Sequence, residues 1–196
     1  EDFVEDMYDF ADAQALSVDT LIHENGAAQL EINFNHGDPL DMADQVFVFK
    51  RTVRETAQRH NMYATFMAKP MQKEPGSALH IHQSILSLET GRNIFNDVND
   101  QPTPELMHYI AGLQRYTPDL ISFYAPNVNS YRRLAPDISA PINLSWGYDN
   151  RTTAFRVPDS TPVNRRVENR FPGADANPYL AIAASLASGL LGLEHK

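Results

Sequence analysis

The chain has 196 residues, of which 42% are hydrophobic and 21% charged, with 25 acidic against 16 basic side chains. That is a folded globular composition, and the net charge of −9 argues against a general nucleic-acid-binding or anionic-membrane surface. The absence of cysteine excludes disulfides, thiolate metal ligands and cysteine nucleophiles, and accords with a reducing, cytoplasmic setting.

No apolar run is long enough to span a bilayer. The sequence opens at Glu1, mid-phrase in EDFVEDMYDF, as a fragment of a longer chain would. LIHENGAAQLEINF (21–34) reads as a hairpin turning at Asn25-Gly26. Leu30, Ile32 and Phe34 then alternate with Gln29, Glu31 and Asn33, one face apolar and the other polar. Residues 38–61 carry a helical pattern, with Val46, Phe49, Val53 and Ala57 on one side and Asp38-Pro39 at its start. MYATFMAKP (62–70) and GSALHIHQSIL (76–86) read as strands. In the second, His80, His82 and Ser84 share one face, and Leu79, Ile81 and Ile85 the other. A helix is expected within 103–124, capped at Thr103, then a hairpin over 142–158 near Asp149-Asn150 and a strand over 163–171. The final apolar segment is a helix, with Asn177 as N-cap and Pro178 at its first position. Together these predict an α+β fold with a largely antiparallel sheet flanked by helices.

Three carboxylates and an imidazole, namely Glu24, Glu31, Glu168 and His80, form a donor set suited to Mg²⁺ or Mn²⁺. Their spacing fits equally a scatter of solvated strand residues, because no close metal-binding motif links them. Seven arginines crowd the segment from 132 to 170: Arg132, Arg133, Arg151, Arg156, Arg165, Arg166 and Arg170. Guanidinium forks match phosphate and carboxylate oxygens, whereas surface ion pairs would each contribute only ~0–1 kcal/mol. In VNRRVENRF, Arg166, Glu168 and Arg170 alternate with Val167, Asn169 and Phe171. Composition does not separate an anion-binding face from an ordinary surface strand. No Walker loop, dinucleotide fingerprint or nucleophile elbow is present. The residues alone support a metal-dependent enzyme acting on anionic, phosphorylated ligands.

Seven segments, in order, sharpen that reading: ENGAAQLEINF, ATFMAKP, GSALHIHQS, NSYRRLAP, APINLSWGYDNR, RRVENRFP and ANPYLA. They closely resemble the catalytic domain of the glutamine synthetase family, from about Leu21 to Leu193. The resemblance implies that residues 1–196 are part of such a domain, with a curved sheet, lacking the small N-terminal β-grasp domain and an upstream metal-ligand strand. It implies ATP-dependent formation of a γ-glutamyl phosphate, which an amine then displaces, with two or three Mg²⁺ or Mn²⁺ ions. By position, Glu24 and Glu31 would hold the metal nearer glutamate, and His80 and Glu168 the metal nearer the ATP phosphates. Gly76, Arg133 and Arg170 would bind glutamate. His82, Arg151, Arg156 and Arg166 would surround the phosphates and the transferring phosphoryl, with Ser84 near the adenine. The family's ring-shaped homo-oligomers, dodecamers among them, build active sites between subunits, so the isolated fragment is expected to be inactive.

One departure bears on the acceptor. Ammonia-using members carry a glutamate just before Ala140-Pro141, where this chain has Ser139. A neutral hydroxyl does not hold ammonium as a carboxylate does. With Pro75-Gly76-Ser77-Ala78 and Ile22-His23-Glu24, this looks more like the γ-glutamylpolyamine synthetase branch. The expected activity is a glutamate–amine ligase with glutamate, ATP and an organic amine as its partners. Ammonia-dependent glutamine synthesis and a non-catalytic relative are the alternatives.

Overall fold

The computed structural model describes residues 2–136 and 140–195. A first helix, α1 (Asp2–Ala13), was not among the expected elements. Its Met7 and Ala11, one turn apart, are buried against α2 (Pro39–Arg59), and His60 Nε2 lies 2.9 Å from Asp6 Oδ2. The start of α2 follows the sequence signal: Asp38 Oδ1 accepts from the Leu40 N–H at 3.0 Å and Pro39 needs no partner. Between these helices the chain forms the expected hairpin, β1 (Val18–His23) and β2 (Leu30–Phe34), paired antiparallel. Ile32 and Phe34 join Met7, Phe49 and Val53 in a small core, and Phe34 meets Phe49 edge-on at 5.2 Å.

Residues 62–67 do not form the expected strand. Ala64 and Phe66 do turn inward against the small core, as an extended chain dictates, but no neighbouring strand pairs with them among the described residues. Apolar alternation secures the extended shape, whereas a ladder needs a partner.

The second sheet has the strand order β3-β6-β5-β4, built from β3 (Ile81–Gln83), β4 (Trp146–Tyr148), β5 (Phe155–Val157) and β6 (Val167–Asn169). The strands expected over 76–86 and 163–171 shrink to their centres, and Pro162–Asn164 is a 3₁₀ turn instead. The expected hairpin over 142–158 is also corrected: β4 and β5 run parallel, Trp146 beside Phe155 and Tyr148 beside Val157. Parallel neighbours usually need a crossover of a dozen or more residues. Here Asp149 adopts φ 42°, and the Asn150 side chain accepts from the Thr152 N–H and hydroxyl. That tight loop returns the chain to the start of β5. The other three strand pairs are antiparallel.

Behind this sheet lie α3 (Pro104–Tyr124) and α5 (Pro178–Glu194), with a short α4 (Val128–Arg133) that was not anticipated. Thr103 does occupy the N-cap of α3, but its hydroxyl donates to Ile94 O at 2.7 Å rather than capping the helix. Asn177 caps α5 as expected, accepting from Tyr179 N and Leu180 N. The main core comprises Phe95, Leu106, Tyr109, Leu113, Phe155 and Val167, each fully enclosed. Gln83, on the core side of β3, donates to Ser185 Oγ at 2.7 Å and accepts from Tyr109 Oη at 2.8 Å. Those bonds satisfy a polar group within an apolar layer. Among the described residues no helix is long and apolar enough to cross a membrane.

Lys50 links the two halves by donating from α2 to Ala174 O at 2.7 Å and Ala176 O at 3.0 Å. Burial, aided by Arg54 and opposed by Asp175, pushes its pKa down to about 8 from 10.5. In that window the unfolded chain binds more protons than the folded one, so folding stability rises with pH. Raising pH from about 8 to 10.5 should therefore stabilise the wild type relative to Lys50→Met. Superimposable pH profiles in chemical denaturation would refute this.

Candidate active site

The register of the second sheet assembles the centre of the site. Glu168 on β6 lies directly opposite His82 on β3 and Arg156 on β5, and Arg156 lies beside Gly147 on β4. Residues opposite one another share a face, so one row crosses the sheet with imidazole, carboxylate and guanidinium in sequence. Val167 and Asn169 take the opposite face, both fully enclosed in the core.

Glu168 is the hub, with its side chain only 2% exposed. Its Oε1 accepts from Arg170 Nη1 at 2.7 Å and lies 3.1 Å from His80 Nδ1; its Oε2 accepts from Arg156 Nη1 at 2.9 Å. This is not an exposed strand with solvated charges. Burial acts to raise the Glu168 carboxyl, but surrounding positive charge outweighs it and holds the group below its usual range. Beside it, burial pushes His80 down to about 3, with Glu168 opposing and nearby Arg170 and Arg133 adding to the shift. With its Nδ1 3.1 Å from Glu168 Oε1, a neutral His80 can offer the Nε2 lone pair that a metal-binding imidazole needs. His82, also lowered chiefly by burial, accepts from Arg166 Nε at 3.1 Å.

The hairpin supplies a second acidic point. Glu24 stands just past β1 and Glu31, on β2, pairs with Ile22 of β1, which brings the two carboxyl groups near enough to influence each other. Burial first, then Glu24, raises the Glu31 carboxyl, with Asn33 opposing; Glu168 is near enough to contribute. Two carboxyl groups this close share either a proton or a cation, and their hard oxygens fit Mg²⁺ or Mn²⁺. The four candidate ligands thus fall into two pairs, Glu24 with Glu31 and His80 with Glu168. Among the described residues no three His, Asp or Glu groups converge to hold an ion by themselves.

Gly76 is held tightly. A Cβ there would lie 2.7 Å from Ala68 O and 2.7 Å from Arg133 Cγ, so only glycine permits this approach. Arg133, nearly enclosed at the end of α4, donates to Phe171 O and Arg170 O, each at 2.8 Å. Burial, with Arg170 nearby, lowers its pKa to about 10, so it remains a cation at neutral pH.

Twelve of the thirteen site residues read from the sequence line one cleft of about 2100 Å³: Glu24, Glu31, Gly76, His80, His82, Ser84, Arg133, Arg151, Arg156, Arg166, Glu168 and Arg170. Ser139 lies outside the described residues. A single small ligand typically occupies ~300–1,000 Å³, so this cleft has room for two. The separate tasks read along Arg166, Glu168 and Arg170 are less separate in space, because Arg170 and Glu168 are paired directly.

Three further residues escaped the sequence reading. Gln29 accepts from the Gly26 N–H at 3.1 Å and donates to Gly76 O at 3.0 Å, tying the acidic hairpin to the Gly76 loop. Asp175 accepts from Ser130 Oγ at 2.6 Å and from Asn127 Nδ2 at 3.1 Å, fixing the start of the helix that carries Arg133. Asp149 Oδ1 accepts from Arg156 Nη2 at 2.5 Å. Each acts across a long sequence gap or through a turn, where local spacing carries no signal.

The chain is 41% identical over its whole length to the gamma-glutamylputrescine synthetase PuuA of Escherichia coli (strain K12), covering 41% of that protein. It is 45% identical over 175 residues to a glutamate–isopropylamine ligase of Pseudomonas sp, a match covering 88% of the chain and 38% of the relative. It is 39% identical over 196 residues to a glutamine synthetase of Pyrococcus abyssi, all of the chain and 44% of the relative. The chain therefore spans about two fifths of the length of these relatives. The family model described as glutamine synthetase, catalytic domain, matches residues 1–196, every residue of the cleft included, and by that match the chain belongs to the glutamine synthetase family.

Proposed function

We propose that the protein to which this chain belongs is an ATP-dependent ligase that joins the γ-carboxylate of glutamate to an organic amine. The observation that carries this reading is the convergence of twelve family-matched residues on one cleft with room for two ligands. The γ-phosphoryl group of ATP passes to a carboxylate oxygen of glutamate, releasing ADP. The amine nitrogen then attacks that carbonyl carbon, and phosphate leaves. Arg151 and Arg156 would neutralise charge on the transferring phosphoryl, while Arg166, His82 and Ser84 face the nucleotide. Arg133, Arg170 and the Gly76 backbone would hold glutamate. Glu24 and Glu31, with His80 and Glu168, would hold divalent ions, which neutralise phosphate oxygens when bound. A ring-shaped homo-oligomer would complete the site.

An organic acceptor is favoured over ammonia by two points. Ser139 stands where ammonia users carry a carboxylate, and two relatives are named for putrescine and isopropylamine. The test is ADP release by the full-length protein with glutamate and either ammonium, putrescine, spermidine or isopropylamine. Faster turnover with an organic amine is expected. Faster turnover with ammonium would make it a glutamine synthetase, and no turnover with any acceptor would sink the ligase reading.

A further inference from the structure

We propose that Asp149 is a releasable counterion that occupies Arg156 until a phosphate group displaces it. The inference rests on the reading above that Arg156 meets phosphate.

Each terminal nitrogen of Arg156 is engaged by a carboxylate in this structure. One terminal nitrogen donates to Glu168 at 2.9 Å and the other to Asp149 at 2.5 Å, while its buried Nε has no partner among the described residues. An incoming anion therefore competes with a carboxylate at either terminal nitrogen. The two are unequally held: Glu168 is 2% exposed and shared with Arg170 and His80, whereas the Asp149 side chain is 60% exposed. Asp149 also sits at φ 42° in the tight loop between β4 and β5. Gly147, beside Arg156 in the register, presents no side chain there. Arg151 lies within electrostatic reach of Asp149. One exposed carboxylate therefore pairs with Arg156, with Arg151 nearby, and its departure leaves Arg156 available to an anion of comparable charge.

This role gives a sign opposite to that of a residue that merely supports Arg156. Removing a competitor tightens anion binding; removing a support weakens it. Asp149→Asn is the suitable variant, because asparagine tolerates left-handed backbone as aspartate does and keeps the side-chain shape. In the full-length protein, Asp149→Asn should lower the KM for ATP and tighten binding of inorganic tripolyphosphate, each about threefold, the scale of an exposed ion pair. The gain should vanish in an Arg156→Gln background. Unchanged or weaker binding in Asp149→Asn, or a gain that survives in Arg156→Gln, would overturn the counterion role. Tripolyphosphate binding that is indifferent to Arg156→Gln alone would instead overturn the assignment of Arg156 to phosphate, and the inference with it.

Discussion

Replacing Glu168 with glutamine should destabilise the protein by about 3–5 kcal/mol, the range seen when one partner of a buried ion pair is removed. The carboxylate holds Arg156, Arg170 and His80 together from a position 2% exposed. Glutamine keeps the shape but has one acceptor oxygen and no charge, so two guanidinium groups lose their shared counterion. In a chain of this size each kcal/mol corresponds to roughly 2–4 °C in Tm, so a calorimetric shift on the order of 10 °C is expected. Mg²⁺–ATP affinity should fall in parallel under the proposed function. A shift under about 3 °C would mean that the pairs offset only the cost of their own desolvation. Unchanged Mg²⁺–ATP affinity would remove Glu168 from the metal site.

The second large effect is at the crossing of α3 and α5. Gly→Ala inside a helix ordinarily stabilises by about 1 kcal/mol. At Gly112 the sign should reverse, because a Cβ would lie 2.2 Å from Ser188 O and 2.7 Å from Gly192 Cα, both backbone atoms. Backbone cannot rotate away as a side chain would, so the two helices must separate and the core around Tyr109 and Leu113 opens with them. The cost should reach or exceed the upper end of the ~1–3 kcal/mol typical of overpacking. Gly91→Ala is the contrasting control, since nothing lies within 4 Å of its Cβ position and only its φ of 66° resists the change. Gly112→Ala melting at or above the wild-type temperature would contradict this packing.

The sequence is most informative about α2, the β1–β2 hairpin and α5, where periodicity and the Asp38 and Asn177 caps are local signals, although the hairpin turns at Ala27-Ala28 rather than at Asn25-Gly26. It also carries the family's ordered segments, through which twelve residues far apart in the chain were assigned to a single site before any of them could be placed together. Local patterning thus determined the principal helices and the hairpin, and the resemblance to the family pointed to the membership of the cleft. Tertiary structure decided how backbone and side-chain groups chose partners. The same extended pattern became a paired strand at Val167–Asn169 and an unpaired segment at 62–67, because a ladder depends on what lies alongside. It also set β5 parallel to β4 and placed Asp149 on Arg156. Glu168 shows the division most clearly: alternation put it on a face with Arg166 and Arg170, but only packing buried that face and made its carboxylate the centre of the network. The physical reason is that burial and hydrogen-bond partners depend on distant chain, and local sequence does not encode them.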